Sequence, residues 1–405
     1  MTVLLGHPTG TPFSHHAALA HYQAGWLESF CVPWMPSGTA AALLNSLGSV
    51  SPMFARASRR HFASLAAAPM TQDRLGEWRR LVARALGGDG DRLAVEANEW
   101  LMRVMTAKAD NSRVSAVHAY EDCALWPFQR AHKLGKARIY DMPIGYYPAW
   151  EKISAQLAKK YSDWVSGAGS TQLVPPEQKR KEMALADLVL APSAFVADTI
   201  RAEFPHKPIA IAPYGVDVAN WVCAPRGRAQ RPLTFLFAGQ CSLRKGVPLL
   251  LGAWRAAELA GARLQLVGAW RLAAAKKREL PPGCSWTGPV SAEKLRAIYA
   301  EADVFVFPSN FEGRALVVGE ALASGLPVLT TKASGMDDAV DESCGRIIAA
   351  DDRDALVEGL RWFARNGERV PKMSQAARAK AETCTWDRYR ARVTNAVRPF
   401  AGLPA

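Results

Sequence analysis

Two glutamates, Glu312 and Glu320, flank the apolar run of FEGRALVVGEALASG, residues 311 to 325. Upstream, FAGQCSLRKGVPLLL sets Arg244, Lys245 and Gly246 between a strand-like run ending at Gly239 and an apolar helix-like run. Two cations at the mouth of a helix, with its unpaired N–H groups, suit a diphosphate. The N–H groups around Gly313, Arg314, Ala315, Leu316 and Val317 form a second anion site. A carboxylate repels phosphate but accepts twice from vicinal hydroxyls. The set therefore suits a diphosphate with a hydroxylated ring at each end, a nucleotide sugar. Glutamates at this spacing are common on ordinary amphipathic helices, and a basic turn is commonly only solvated. The surrounding elements decide.

Short apolar runs closed by Gly, Pro or Ser alternate with helical stretches, the pattern of strands feeding crossover helices in parallel sheets. Strands are expected at VLLG, FCVPW, SAVHAY, ARIYDM, LVLAPS and IAIAPYG in the first half, and at LTFLFAG, RLQLVGA, VFVFPS and PVLTT in the second. The fold class is α/β, with two doubly wound units in series. The join lies near residues 213 to 232, rich in Pro, Gly and Arg, giving units 1–212 and 213–385. A last helix, 386–405, carries Trp386, Tyr389, Val393 and Val397 at helical spacing and could pack on either unit. Ligands in such sheets collect beyond the carboxyl ends of strands, which is where both motifs fall.

With 405 residues and 49% hydrophobic content the chain can fill two cores. Fifty Lys and Arg against 37 Asp and Glu give +13, so an anionic partner fits: nucleotide, lipid headgroup or nucleic acid. No nucleic-acid-binding module is recognisable and the cations are dispersed, which argues against nucleic acid. Seven scattered cysteines without a C-x-x-C pair suit reduced thiols and the cytoplasm. Neither a signal peptide nor a membrane-spanning run is evident.

FPSNFEGRALVVGEALASGLPVLTT, with GQCSLRKG, LVGAW, the TGPV turn and ASGMDDAV, resembles the retaining glycosyltransferases of family four, which have the GT-B fold. The resemblance runs from about Ala186 (ADLVLAPSAFV, then PYGVD) to the last helix; the first half agrees in pattern only. It implies two Rossmann-like domains facing a central cleft, an N-terminal one for the acceptor, a C-terminal one for the nucleotide sugar, and a last helix crossing back. It further implies that Glu320 holds the donor ribose, Glu312 sits by the donor sugar, Arg244 and Lys245 neutralise the leaving diphosphate, and Gly288-Pro289-Val290 lies against the base. Such enzymes pass a sugar to a saccharide or lipid-linked acceptor, in cell-surface polysaccharide or glycolipid synthesis, commonly without a metal. The D-x-D triplets at Asp89 and Asp352 sit in polar turns and are not metal sites, so no metal or other cofactor is expected. A hydrolysing nucleotide-sugar epimerase, or a non-catalytic carbohydrate- or lipid-binding relative, is the alternative. Relatives often carry Gly, an aromatic and Gly after the first glutamate; here they are Gly313, Arg314 and Ala315. Arg314 either serves an acidic group on the ligand or, the favoured reading, points to solvent. Where relatives often have Arg after the strand-end glycine, this chain has Gln240.

In the first half, GHPTGTPFSHHAALAHY offers Gly10 and Thr11 in a turn at the donor, Ser14 as a helix N-cap, and His15 and His16 with at least one exposed. His118 and Asp141 end strands; a strand-end His is more often structural, but in relatives a His at a strand end of this domain lies near the donor sugar, and the resemblance implies that His118 or Asp141 stands there. Residues 73 to 88 set Leu75, Trp78, Leu81, Val82, Ala85 and Leu86 on one helical face, with Arg74, Arg80 and Arg84 elsewhere and Arg56, Arg59, Arg60 and His61 upstream. Such a helix suits peripheral contact with an anionic membrane on its cytoplasmic face, although packing on its own sheet is favoured.

Overall fold

The apolar runs are too short and too uniformly buried for hairpins, and every paired strand in both sheets is parallel to its neighbour. The computed structural model describes residues 1–49, 54, 57, 58, 60–86, 90–166, 174–224 and 233–404. The first sheet holds β1 (Thr2–Gly6), β2 (Leu27–Val32), β3 (Met70–Gln72), β4 (Val114–Tyr120), β5 (Ala137–Asp141), β6 (Leu188–Ala191) and β7 (Ile209–Ile211) in the order β3-β2-β1-β4-β5-β6-β7. Its helices are α1 (Pro12–Gln23), α2 (Gly38–Ser46), α3 (Arg74–Ala85), α4 (Gly90–Lys108), α5 (Leu125–Lys133), α6 (Tyr147–Lys160), α7 (Pro176–Leu185) and α8 (Ala194–Arg201). The second sheet holds β8 (Thr234–Ala238), β9 (Arg263–Val267), β10 (Cys284–Gly288), β11 (Val304–Phe307), β12 (Val328–Thr331) and β13 (Gly345–Ile348) in the order β10-β9-β8-β11-β12-β13. Its helices are α9 (Val247–Ala257), α10 (Ala292–Glu301), α11 (Leu316–Ala323), α12 (Arg353–Arg365) and α13 (Val370–Thr383), and α14 (Trp386–Ala401) follows.

All ten expected strands form. The three that the apolar pattern missed, β3, β10 and β13, are edge strands with one flank and part of each face in water, so no continuous apolar run marks them. The TGPV turn is the end of one of them, β10. In each sheet the strand order reverses at one place, between β1 and β4 and between β8 and β11. Loops leaving those neighbours diverge to opposite faces and open a crevice.

The last helix settles on the first domain: Tyr389, Val393, Val397 and Ala401 are buried with Val3, Leu5 and Ala17. The helix at residues 74–85 forms, but its faces are partly reversed. Leu75, Val82 and Leu86 are exposed, whereas Arg80 is buried and its Nε and Nη2 donate to Glu77 at 2.9 and 2.7 Å. Arg60 reaches the same carboxylate at 2.5 Å. Trp78 packs at a tilt against Trp34, with ring centres 5.2 Å apart, so the helix is anchored by an ion cluster and one aromatic pair. Arg56, Arg59 and the side chain of Arg84 lie outside the described residues. Glu77→Ala strands two inward guanidinium groups, and its melting temperature should fall by the equivalent of about 3–5 kcal/mol. No helix among the described residues is long and apolar enough to cross a membrane.

Candidate functional site

Because β8 and β11 are adjacent, their outgoing loops start side by side, and the two motifs meet there. Glu312 is buried and accepts from Ser309 Oγ at 2.8 Å and from Lys245 Nζ. Arg244 Nη1 lies 3.1 Å from the other carboxylate oxygen and donates to Phe311 O at 2.8 Å. One carboxylate therefore holds both cations at the mouth of the crevice. Burial lowers the pKa of Lys245, against the pull of Glu312. Gly246, at φ 70°, opens α9 in the left-handed region; a Cβ there would lie 2.0 Å from Pro308 O, so only glycine lets the two loops touch.

Glu312 also stands where the domains meet. Phe311 enters the first domain between Trp150 and Phe195, at ring distances of 5.4 and 5.6 Å. Ser193 Oγ donates to Gly313 O at 2.6 Å. A Cβ on Gly313 would lie 1.7 Å from Pro143 O, so this contact too requires glycine.

The expected row of N–H donors is shorter than the sequence suggested. Ala315 N is spent on Ser334 O at 2.9 Å, closing the turn before the helix. Leu316 and Val317 open α11, which has no capping side chain, so their N–H groups lack helical partners. Gly239 N donates to Val267 O at 2.9 Å, within the sheet. Glu320 is half-buried on α11; burial raises its pKa to about 7, opposed by a hydrogen bond from Tyr299. Val290 is half-buried just beyond β10.

Arg314 fits neither reading of the sequence. Its side chain is buried and donates to Tyr214 O and Gly335 O, both at 3.2 Å, and to Asp338. It is drawn inward by these three oxygens, which come from the interdomain connection and the turn after β12. It serves as a clamp behind the loop.

In the first domain the turn after β1 is self-satisfied. Thr9 N and Gly10 N donate to His7 Nδ1 at 3.0 and 2.8 Å, and Thr11 N donates to Ser14 Oγ at 2.9 Å. The donor groups expected from Gly10 and Thr11 are thus consumed. Thr11, not Ser14, is the N-cap, with Ser14 completing a capping box. His7, which sequence reasoning passed over, directly follows β1 with its ring 4.6 Å from Tyr120. Burial, then the charges of His15 and Arg60, lower its pKa to about 3, so it works as a neutral ring. Neither His15 nor His16 is exposed: His15 stacks on Phe62 at 5.3 Å and His16 on Trp386 at 4.1 Å.

His118 and Asp141 are not alternatives but one unit, 3.4 Å apart and both buried. His21 Nε2 sits 3.0 Å from His118 Nδ1, and Tyr120 closes the group on one side, its phenol pKa pushed well up by burial and by Asp141. With His118 fully covered and Asp141 2% exposed, neither has the open position that touching a sugar requires. They secure the crevice wall. Asp352 caps α12 by accepting from Ala355 N at 2.9 Å, a structural turn as expected; Asp89 lies outside the described residues.

Residues 224–380 match the family described as glycosyl transferases group 1. Glycogen synthase of Mycobacterium tuberculosis (strain ATCC 25618 / H37Rv) is 27% identical over 290 residues, 69% of this chain and 67% of that one. D-inositol 3-phosphate glycosyltransferase of Arthrobacter sp. (strain FB24) is 32% identical over 249 residues, 53% of this chain and 57% of that one. Anabaena HepE, solved in complex with UDP, superposes with a TM-score of 0.63 at 14% identity, covering 98% of this chain and 100% of that one.

Proposed function

The chain is a glycosyltransferase of GT-B fold with a glycosyl transferases group 1 domain over residues 224–380, and we propose that it moves a sugar from a nucleotide-diphosphate sugar to a saccharide or lipid-linked acceptor, with retention and without a metal. The observation that carries this reading is the Glu312–Arg244–Lys245 cluster where the strand order reverses, beside the open start of α11. Cleaving the sugar–phosphate bond builds negative charge on the diphosphate. Arg244, Lys245 and the N–H groups of Leu316 and Val317 stabilise it as it forms. Glu312 keeps the two cations aligned and faces the donor sugar. Glu320, one helical face away, accepts from the ribose hydroxyls. The relative solved with UDP supports a nucleotide as the bound group.

A thermal-shift panel of nucleotide sugars, followed by NMR of the product's anomeric centre, tests the reading. Stabilisation by one donor and a product of unchanged anomeric configuration support it; inversion, or no stabilisation by any donor, overturns it. Activity should survive a strong chelator, since the protein's own cations replace a metal.

Glu320 adds a pH signature. Its pKa, about 7 in the folded chain against 4.5 ordinarily, means the folded state holds a proton that the unfolded state releases between those values. Its contribution to stability is fully present below pH 4.5 and is lost as pH rises through about 7. The melting temperature of Glu320→Gln should therefore gain on the parent chain from pH 5 to pH 8. The same substitution should weaken donor binding about 10- to 100-fold at pH 8, the worth of a charged hydrogen-bond acceptor.

A lipid-linked acceptor would bring the enzyme to the cytoplasmic face of a membrane, where the exposed Leu75, Val82 and Leu86 of the first domain could meet lipid. Flotation with anionic liposomes that is lost in Leu75→Ser/Leu86→Ser would establish that contact; absence of flotation would remove it.

A further inference from the structure

A second concave surface lies at the far end of the second sheet. Gly345 pairs with Val328 and Arg346 with Leu329, so this edge belongs to the amino ends of the strands, opposite the loops that carry Lys245 and Glu312. The groove there encloses about 910 Å³, and its lining includes Arg346, Trp362, Arg369, Lys372 and Met373. Trp362 comes from the last turn of α12, and Lys372 from the first turn of α13. The guanidinium carbons of Arg346 and Arg369 lie 4.8 and 5.9 Å from the centre of the Trp362 ring. Arg346, Arg369 and Lys372 are all exposed, and none forms an ion pair with a described residue. The start of α13 has neither a capping side chain nor an acid in its first turn, so these cations crowd the positive end of a helix. Three cations converge here, and among the described residues Glu342 is the only carboxylate lining the groove.

We propose that this groove binds a phosphate-bearing ligand at a site separate from the donor crevice. Guanidinium groups held against an indole face keep their forks oriented, and a fork matches two phosphate oxygens at once. Lys372 supplies a third charge, and Met373 offers apolar surface to the carbon part of the ligand. The phosphate can belong to a soluble metabolite or to a lipid headgroup.

Pyrophosphate titrated calorimetrically into the full chain represents the first source; phosphatidylcholine vesicles with and without phosphatidate represent the second. Arg346→Ala/Lys372→Ala should weaken binding of the responding probe about tenfold or more, with unchanged melting because both side chains are exposed. Lys245→Ala, which disturbs only the crevice, should leave it intact, so this proposal and the glycosyl-transfer reading fail independently. Pyrophosphate binding that meets both conditions assigns a soluble ligand; binding only to phosphatidate vesicles assigns a headgroup. Binding unaffected by the double substitution, or no binding of either probe, overturns the proposal.

Discussion

Lys245→Ala should lower kcat about 100- to 1000-fold, the loss found when one preorganised donor to a developing oxyanion is removed, while KM for the nucleotide sugar moves far less. In the proposed reaction the ammonium acts most strongly where charge appears on the leaving diphosphate, and its burial would keep water from screening that interaction. The substitution should not unfold the loop, because Glu312 keeps Arg244 and Ser309 as partners. Steady-state kinetics with the donor found in the panel, beside a melting curve, reads both effects. A kcat within threefold of the parent would place the stabilising charge elsewhere, and restoration by added magnesium would identify a metal in that role.

Gly313→Ala should lower kcat about 100-fold with little change in melting temperature. The added carbon would meet Pro143 O at 1.7 Å, and both sides of that clash are backbone, so the domains must part. Parting withdraws Phe311 from between Trp150 and Phe195 and shifts the adjacent Glu312. A displacement of about 1 Å at a reacting site is enough for a 100-fold loss. Each domain keeps its own core, which is why global stability is spared. Small-angle scattering should register a larger radius of gyration. An unchanged kcat would show that the contact between Pro143 and Gly313 plays no part in the reaction.

The strands buried on both flanks were legible in the sequence because burial leaves uninterrupted apolar runs such as VFVF; β3, β10 and β13 were not, because an edge strand need not be apolar throughout. The motif residues of the second domain were legible as types and as neighbours. Their connectivity was not: nothing in the spacing of Arg244, Lys245 and Glu312 says that the carboxylate binds both cations. Arg314 shows the same limit, since the direction of a side chain leaving a loop depends on the oxygens that the rest of the fold brings beside it. In the first domain, Gly10 and Thr11 read as free donors because their acceptors, His7 and Ser14, are identified only by the shape of the turn. The capping box was open to sequence reasoning, as Thr11 and Ser14 have the required spacing. His118 and Asp141 stand on neighbouring strands two residues from direct pairing, since His118 is opposite Ile139 and Asp141 opposite Tyr120, a relation that appears only once β4 and β5 are aligned.

The helix that completes the first domain follows the entire second domain in the chain. Val3 and Leu5 leave the ribosome before the second sheet, yet Val393 and Val397, which cover them, emerge only after it. The second domain can therefore consolidate while the first still exposes an apolar strip. During translation the order of maturation runs against the order of the sequence, because the first core closes only once Tyr389, Val393 and Val397 are in place.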